Sequence, residues 1–212
     1  MAQKVFIRSD IDQLDKRFRT NLINSVTGFK SVSLVGTISS AGLTNLAVFS
    51  QIVHVGANPP LLGILFRPHT VPRHTLENIL TTKAYTINHI KNDFVQHAHH
   101  TSARWQGSEF EECGFTPKFT SNISAPYVAE ASMQIGLSYV EHYTLQSNET
   151  VFLVGEIQEI MLPEDSLKSD GFIDLVSAGS LTCSGLDAYH QVKQPLRLTY
   201  AKPDRPVESL DE

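Results

Sequence analysis

The residues best suited to chemistry are clustered between positions 66 and 79, in the stretch FRPHTVPRHTLENI. It follows a run of 36 residues, from 31 to 66, that contains no Lys, Arg, Asp or Glu. A helix is predicted over residues 76–82, with Thr75 as its cap. Free N–H groups and the helix dipole attract an anion to such a helix start, and a nearby arginine adds charge. Arg73, Thr75 and the backbone of residues 76 and 77 would supply such a site for a phosphate.

The same residues also allow a purely structural interpretation. Thr75 would only cap the helix, and Asn78 would make the reciprocal hydrogen bond at its third position. Arg67 and Arg73 would then pair with acidic side chains on the surface. Spacing alone leaves both interpretations open.

The other residue types that often carry chemistry give weaker signals. His97, His99 and His100 lie close together, but no carboxylate or cysteine is spaced with them as a metal site requires, so a solvated helix surface is expected and no metal. Cys113 and Cys183 fit neither a disulfide framework nor a zinc pattern in a chain of 212 residues. Two ordinary thiols in a reducing compartment are expected.

Composition and missing motifs exclude several classes of function. The net charge is -5, the pI is about 6.0, and no block of Lys and Arg is longer than two residues, so a nucleic-acid partner is not expected. The chain has no G-x-G-x-x-G after a strand, no P-loop, no H-E-x-x-H, no C-x-x-C and no G-x-S-x-G. Glycine, proline and asparagine interrupt the uncharged run, which argues against a membrane span. The first ten residues lack the apolar core of a signal peptide, so a cytoplasmic location is expected.

The pattern of apolar residues predicts many short strands and few helices in a single domain over residues 1–212. The predicted elements are a helix at about 9–25 with a capping box from Ser9 to Asp12, strands at 31–38, 46–55 and 61–66, the helix at 76–82, a strand at 84–90, a polar helical excursion at 91–115, strands at 131–143 and 150–162 with a turn at 146–149, a short helix or loop at 172–180, and a flexible C-terminal tail at about 202–212. Consecutive strands without crossover helices favour antiparallel pairing. Closure into a barrel would protect their edges.

Residues 36–90 resemble the flavin reductase-like, FMN-binding split-barrel family, and the resemblance extends over residues 30–120. The matching positions are Gly42, Asn45, Ala47, Ser50, Pro59, Pro60, Thr75, Asn78, Ile79 and Asn88, in an N-x-A-x-x-S segment, a Pro-Pro turn and a T-x-x-N-I helix start. Asn58 stands where the family has Asp, and either side chain can hold an Asx turn. The segment TSARWQGSEFEECGFTP, at 101–117, is similar to the flavoredoxin-like branch. The resemblance implies a mainly β fold, a Greek-key split β-barrel with a few peripheral helices.

The resemblance also implies a cofactor site for FMN. The ring would lie against the chain from Thr37 to Ser50, where backbone N–H groups and the Asn45 side chain would donate to its polar edge. Ser50 and Gln51 would contact the ribityl chain or the phosphate. The phosphate pocket would comprise Arg67, Thr70, Arg73, Thr75 and Asn78.

The activity that the resemblance implies is hydride transfer from NADH or NADPH to flavin N5, and from there to an unknown acceptor. Such transfer demands no acid or base, so no catalytic side chain is assigned. His190 is a candidate for guiding the nicotinamide, and Trp105 is a candidate for stacking near the ring. A homodimer with flavin near the interface is expected. The alternatives are an FMN-binding electron-transfer or flavin-storage protein without NAD(P)H activity, or a relative that binds pyridoxal phosphate, deazaflavin or haem.

Overall fold

The computed structural model describes residues 2–210. The helices are α1 (Arg8–Gln13), α2 (Lys16–Ser25), α3 (His74–Thr82), α4 (Val95–His100) and α5 (Glu109–Glu112), with single 3₁₀ turns at Asn92–Phe94 and Glu164–Ser166. The strands are β1 (Lys30–Ser31), β2 (Ser33–Ile38), β3 (Thr44–Phe49), β4 (Ile52–Ala57), β5 (Pro60–Phe66), β6 (Ala84–His89), β7 (Pro117–Lys118), β8 (Tyr127–Val128), β9 (Gln134–Thr144), β10 (Val151–Met161), β11 (Thr182–Ser184) and β12 (Ala188–His190).

Seven strands form one antiparallel sheet in the order β3-β2-β6-β9-β10-β5-β4. The two edge strands, β3 and β4, are consecutive in the chain and are joined by Ser50 and Gln51 alone. A flat seven-stranded sheet would hold its edges about 29 Å apart, whereas the three Cα steps from Phe49 to Ile52 span at most about 11 Å. The sheet must therefore roll up so that its edges meet at Ser50 and Gln51. The fold is a mainly β split barrel, as predicted.

The barrel is filled by apolar side chains and is covered on one side by a second apolar layer. Barrel residues include Val35, Ile64, Tyr85, Leu137 and Leu153. The second layer, with Leu34, Leu46, Ile90 and Phe110 among its members, lies between the sheet and the segment that carries α4 and α5. Neighbours Leu34 and Val35 belong to different layers because successive side chains of a strand point to opposite faces. Strand β2 is therefore buried on both sides.

The structure differs from the predicted elements in two instructive places. The run predicted as one strand over 46–55 is divided at Ser50 and Gln51 into β3 and β4. The helix predicted over 9–25 is divided at Leu14 and Asp15, because the Asp15 carboxylate caps a new helix by accepting from the N–H groups of Arg17 and Phe18. The N-cap of the first helix is Ile7 rather than Ser9, and the Asp10 carboxylate accepts from the Ile7 backbone N–H (3.1 Å).

The predictions for residues 91–115, 146–149 and 172–180 agree with the structure. Residues 91–115 are helical and irregular, the turn at 146–149 joins β9 to β10, and residues 175–179 form turns. At the C-terminal end, Leu198 pairs with Ser209 and Arg197 forms an ion pair with Asp170. Residues 211 and 212, the end of the predicted tail, lie outside the described residues.

Candidate functional site

A cavity of about 930 Å³ lies beside the place where the barrel edges meet. Its lining includes Ser50 and Gln51 at that junction, Phe49 at the end of β3 and Phe66 at the end of β5. Further apolar lining comes from Val32, Val48, Leu65, Trp105, Cys183 and Leu186. The volume is at the upper end of the range, about 300–1,000 Å³, that is usual for sites of small molecules and cofactors.

Six of the nine residues predicted to bind a cofactor line this one cavity. They are Asn45, Ser50, Gln51, Arg67, Arg73 and Thr75. Thr37 and Asn78 lie behind it: the Thr37 hydroxyl oxygen accepts from the side-chain amides of Asn45 (3.1 Å) and Asn78 (3.1 Å). Thr70 is exposed on the loop before α3 and does not line the cavity.

The loop from Arg67 to Arg73 is tied to the start of α3 by polar contacts. The Glu77 carboxylate accepts from the backbone N–H of Arg73 (3.0 Å) and is bonded to His69 Nε2 (2.8 Å). These contacts, the Arg73 N–H first, hold the pKa of Glu77 below its usual value. Arg73 also donates from Nε and Nη2 to the carbonyl of Pro68, both at 3.2 Å. The guanidinium is thereby held at the rim of the cavity.

The predicted capping role of Thr75 is wrong. Helix α3 begins at His74, its N-cap is Arg73, and no side chain makes the cap bond. Thr75 is buried within the first turn, and its hydroxyl oxygen accepts from Asn45 Nδ2 (3.0 Å). Asn78 likewise makes no reciprocal cap bond, because its amide donates to Thr37. Both side chains reach across to the sheet instead of closing their own helix.

Positive charge predominates around the cavity. Arg67, Arg73 and Arg104 line it, and the acidic side chains in its lining are Glu109 and Asp187. The Glu109 carboxylate already accepts from the backbone N–H of Leu46 (3.0 Å). Arg67 is exposed and makes no ion pair with any side chain between residues 2 and 210. The cavity therefore favours an anionic ligand.

The opposite wall comes from a late segment in which the sequence singled out His190 alone. Asp187 and Tyr189 line the cavity, and burial raises the pKa of Tyr189 to about 12. The Tyr189 hydroxyl is bonded to His99 Nδ1 (3.0 Å). His190, the predicted candidate, does not line the cavity; its Nε2 is bonded to Ser184 (2.8 Å). Tyr189 and His190 are neighbours on β12, so their side chains point to opposite faces.

The three clustered histidines have separate partners. His97 Nδ1 is bonded to the carbonyl of Cys113 (2.9 Å), His99 faces Tyr189, and the His100 ring packs edge-on against Trp105 (4.8 Å). Among residues 2–210 no group of three or more His, Cys, Asp or Glu is placed to hold a metal ion. In the same range the longest helix, α2 with ten residues, is too short to cross a bilayer.

Comparison with known proteins agrees with this fold. The family described as "flavin reductase like domain" matches residues 29–180, so the chain belongs to the flavin reductase-like family. A split-barrel protein from Shewanella frigidimarina, provisionally assigned as a flavin reductase, has 43% sequence identity and a TM-score of 0.90, with 94% of this chain and 100% of that chain covered.

Two further solved structures share the fold at lower identity. Nitrilotriacetate monooxygenase component B from Bacillus cereus has a TM-score of 0.82 at 19% identity, covering 93% of this chain and 100% of that one. Flavoredoxin from Desulfovibrio vulgaris has a TM-score of 0.68 at 23% identity, covering 83% and 91%. The split-barrel architecture is thus shared well beyond recognisable sequence similarity.

Proposed function

We propose that the chain is an FMN-binding oxidoreductase of the flavin reductase type, which takes hydride from NADH or NADPH and delivers it to an acceptor. The observation that carries this proposal is the single cavity that gathers six predicted cofactor-binding residues at the junction of the barrel edges. Membership of the flavin reductase-like family supports the involvement of a flavin.

The residues around the cavity fit FMN. A dianionic phosphate suits the rim formed by Arg67, Arg73 and the Thr75 hydroxyl, since charge-assisted hydrogen bonds to phosphate are strong. A flat apolar ring suits the floor, where Val32 and Val48 lie and pack in the same apolar layer. When bound, FMN supplies N5 as the hydride-accepting atom.

The protein's part in the reaction is to bind, orient and shield. The arginines and Thr75 fix the phosphate, and the apolar floor keeps water from one face of the ring. Beside Trp105, His99 and Tyr189 the cavity extends beyond the phosphate rim, and we assign this part to the nicotinamide. No side chain is required to transfer a proton in the hydride step, so positioning accounts for the protein's contribution.

The purified protein tests this proposal directly. We expect a yellow sample or tight binding of added FMN, and oxidation of NADH or NADPH that depends on FMN. Arg73→Ala combined with Thr75→Ala should weaken FMN binding at least about 100-fold, because two charge-assisted bonds to the phosphate are lost. Arg17→Ala combined with Thr20→Ala makes the same chemical change on the exposed face of α2 and should leave binding unchanged.

The other outcomes identify the alternatives. A folded sample that neither binds flavin nor oxidises NAD(P)H with added FMN refutes the proposal. A yellow sample that NAD(P)H fails to reduce is an electron-transfer or storage protein. A spectrum of pyridoxal phosphate, deazaflavin or haem assigns the cavity to that cofactor.

We also propose that two copies of the chain form a homodimer in the cytoplasm. The edge strand β4 exposes Val53 and Val55, by 44% and 42%, and an apolar edge invites pairing with a second copy. Val53→Lys with Val55→Lys should yield a monomer by light scattering, and a wild-type protein that is monomeric at all concentrations would contradict the dimer.

The proposed location rests on the cysteines. Cys113 and Cys183 are free, as they would remain in a reducing compartment such as the cytoplasm.

A further inference from the structure

Behind the phosphate rim of the cavity, four polar side chains join β2, β3 and α3. Asn45 Nδ2 donates to the hydroxyl oxygens of Thr37 (3.1 Å) and Thr75 (3.0 Å), and Asn78 Nδ2 donates to Thr37 (3.1 Å). Thr37 and Asn45 are directly opposite each other in the β2–β3 ladder. We call these four side chains the amide–hydroxyl network.

Burial divides the amide–hydroxyl network into two layers. Asn45 and Thr75 line the cavity, with 8% and 6% of each residue exposed. Thr37 has no exposed surface, and neither it nor Asn78 lines the cavity. Thr37 and Asn78 therefore cannot touch a ligand there, and they can influence one only through the other two residues.

The hydrogen-bond inventory shows what remains available to a ligand. An Asn side chain has two N–H donors, and those of Asn45 reach Thr37 and Thr75. The sequence suggested that Asn45 donates to the flavin ring, but its donors are already engaged. The Asn45 oxygen, an acceptor, receives no hydrogen bond from residues 2–210.

Thr75 differs from the other threonines of its helix. Thr81 and Thr82 donate their hydroxyl hydrogens to the carbonyls of Glu77 and Asn78, four residues earlier. The Thr75 hydroxyl accepts from Asn45, and within residues 2–210 no acceptor takes its own hydrogen. A hydroxyl that accepts from a fixed donor and faces a cavity keeps one O–H for a ligand.

We infer that Thr37, Asn45 and Asn78 are positioning residues, which orient the Thr75 hydroxyl as a donor to the phosphate of FMN. This inference rests on the proposed function and assigns part of the affinity for the phosphate, rather than for the ring, to the residues that hold the Thr75 hydroxyl in place. Thr37 supplies the oxygen on which both amides converge. Asn45 transmits that constraint from the sheet to the first turn of α3.

The test compares FMN with riboflavin, which has the same ring and lacks the phosphate. Thr37→Val removes the hydroxyl at nearly constant volume and should lower the ratio of FMN to riboflavin affinity about tenfold, as loss of an oriented bond to a charged group implies. Thr81→Val, on the exposed side of α3, is the matched control and should leave the ratio unchanged. Affinities can be followed by quenching of the single tryptophan, Trp105.

A double-mutant cycle separates an indirect effect from a direct one. If Thr37 acts through Thr75, then Thr37→Val should have no further effect on the ratio when Thr75 is already Val. Asn78→Ala removes one amide from Thr37 and should lower the ratio by a smaller factor, which keeps the test available should Thr37→Val fail to fold.

Three results would overturn the inference while flavin binding itself stands. The first is an equal loss of FMN and riboflavin affinity in Thr37→Val. The second is an unchanged ratio of FMN to riboflavin affinity in both Thr37→Val and Asn78→Ala. The third is additive effects of the Thr37 and Thr75 substitutions on that ratio. A wild-type protein that binds neither flavin would instead refute the proposed function.

Discussion

Two buried tyrosines offer a matched test of how hydrogen bonding stabilises this barrel. Tyr85 and Tyr127 each have no exposed surface, and the hydroxyl of each lies 2.1 Å from the position that a Cβ would take on a sheet glycine, Gly155 and Gly136 respectively. Their partners differ. The Tyr127 hydroxyl donates to the Glu159 carboxylate (2.8 Å), whereas the Tyr85 hydroxyl has no partner among residues 2–210.

The same substitution should therefore have opposite effects at the two positions. Tyr85→Phe removes a polar group buried without a partner, which relieves a desolvation penalty and should raise the free energy of unfolding by about 1 kcal/mol. Tyr127→Phe removes a bond to a charged acceptor and should lower it by about 2 kcal/mol. For a chain of this length, the difference of about 3 kcal/mol corresponds to a gap of about 6–12 °C between the two melting temperatures.

Urea unfolding followed by circular dichroism measures both changes against the wild type. Burial raises the pKa of Tyr85, and burial together with the hydrogen bond to Glu159 raises the pKa of Tyr127, so both hydroxyls stay protonated at neutral pH. A Tyr85→Phe variant destabilised as much as Tyr127→Phe would refute the reasoning, since the Tyr85 hydroxyl would then have a favourable partner.

Three further predictions concern pH, packing and ligand binding. Burial lowers the pKa of His89 to about 4, so between pH 6.5 and pH 4 the unfolded chain binds a proton that the folded chain does not. The free energy of unfolding should therefore fall by about 3 kcal/mol as the pH is lowered through this range. His89→Gln should lack this part of the pH dependence, and identical pH profiles for the variant and the wild type would contradict the prediction. Gly36→Ala would place a Cβ 2.2 Å from the backbone oxygen of Pro126 and should lower the free energy of unfolding by at least about 2 kcal/mol. In Gly107→Ala the new Cβ meets only the Glu112 side chain, at 3.1 Å, and the loss should be less than about 1 kcal/mol. Equal melting temperatures for the two variants would be inconsistent with this packing. Emission from Trp105 should be quenched when FMN enters the cavity, and an unchanged spectrum at saturating FMN would place the ligand elsewhere.

Local apolar patterns predicted the strands, and the resemblance to the flavin reductase-like family implied the split barrel and much of the cavity lining. The apolar strands, the turn at 146–149 and the arginines before α3 all lie in continuous stretches whose composition identifies them. The division at Ser50 and Gln51 was missed, since residues 46–55 contain no proline or glycine to mark a break. Closure of the barrel, a property of the whole sheet, dictates that break.

The errors in the site have a similar cause. Thr75 looks like a helix cap when only its neighbours are considered, but Asn45, thirty residues earlier, draws its hydroxyl to the sheet. Tyr189 joins the cavity from the opposite end of the chain, and no local motif marks it. Successive side chains of β12 point to opposite faces, so only one of Tyr189 and His190 can face the cavity. Knowing which face of β12 lies towards the cavity would have favoured Tyr189.

The adjacency of the two edge strands in the chain also constrains the order of assembly during synthesis. The hairpins β2–β3 and β4–β5 can form early from consecutive residues, but β5 obtains its second partner only when β10 has emerged. Until then the two hairpins are joined by two residues and have no sheet between them to hold their edges together. A nascent chain therefore carries the phosphate-rim residues long before the barrel can close beside them, and under the proposed function FMN can be captured only after β10 has been synthesised.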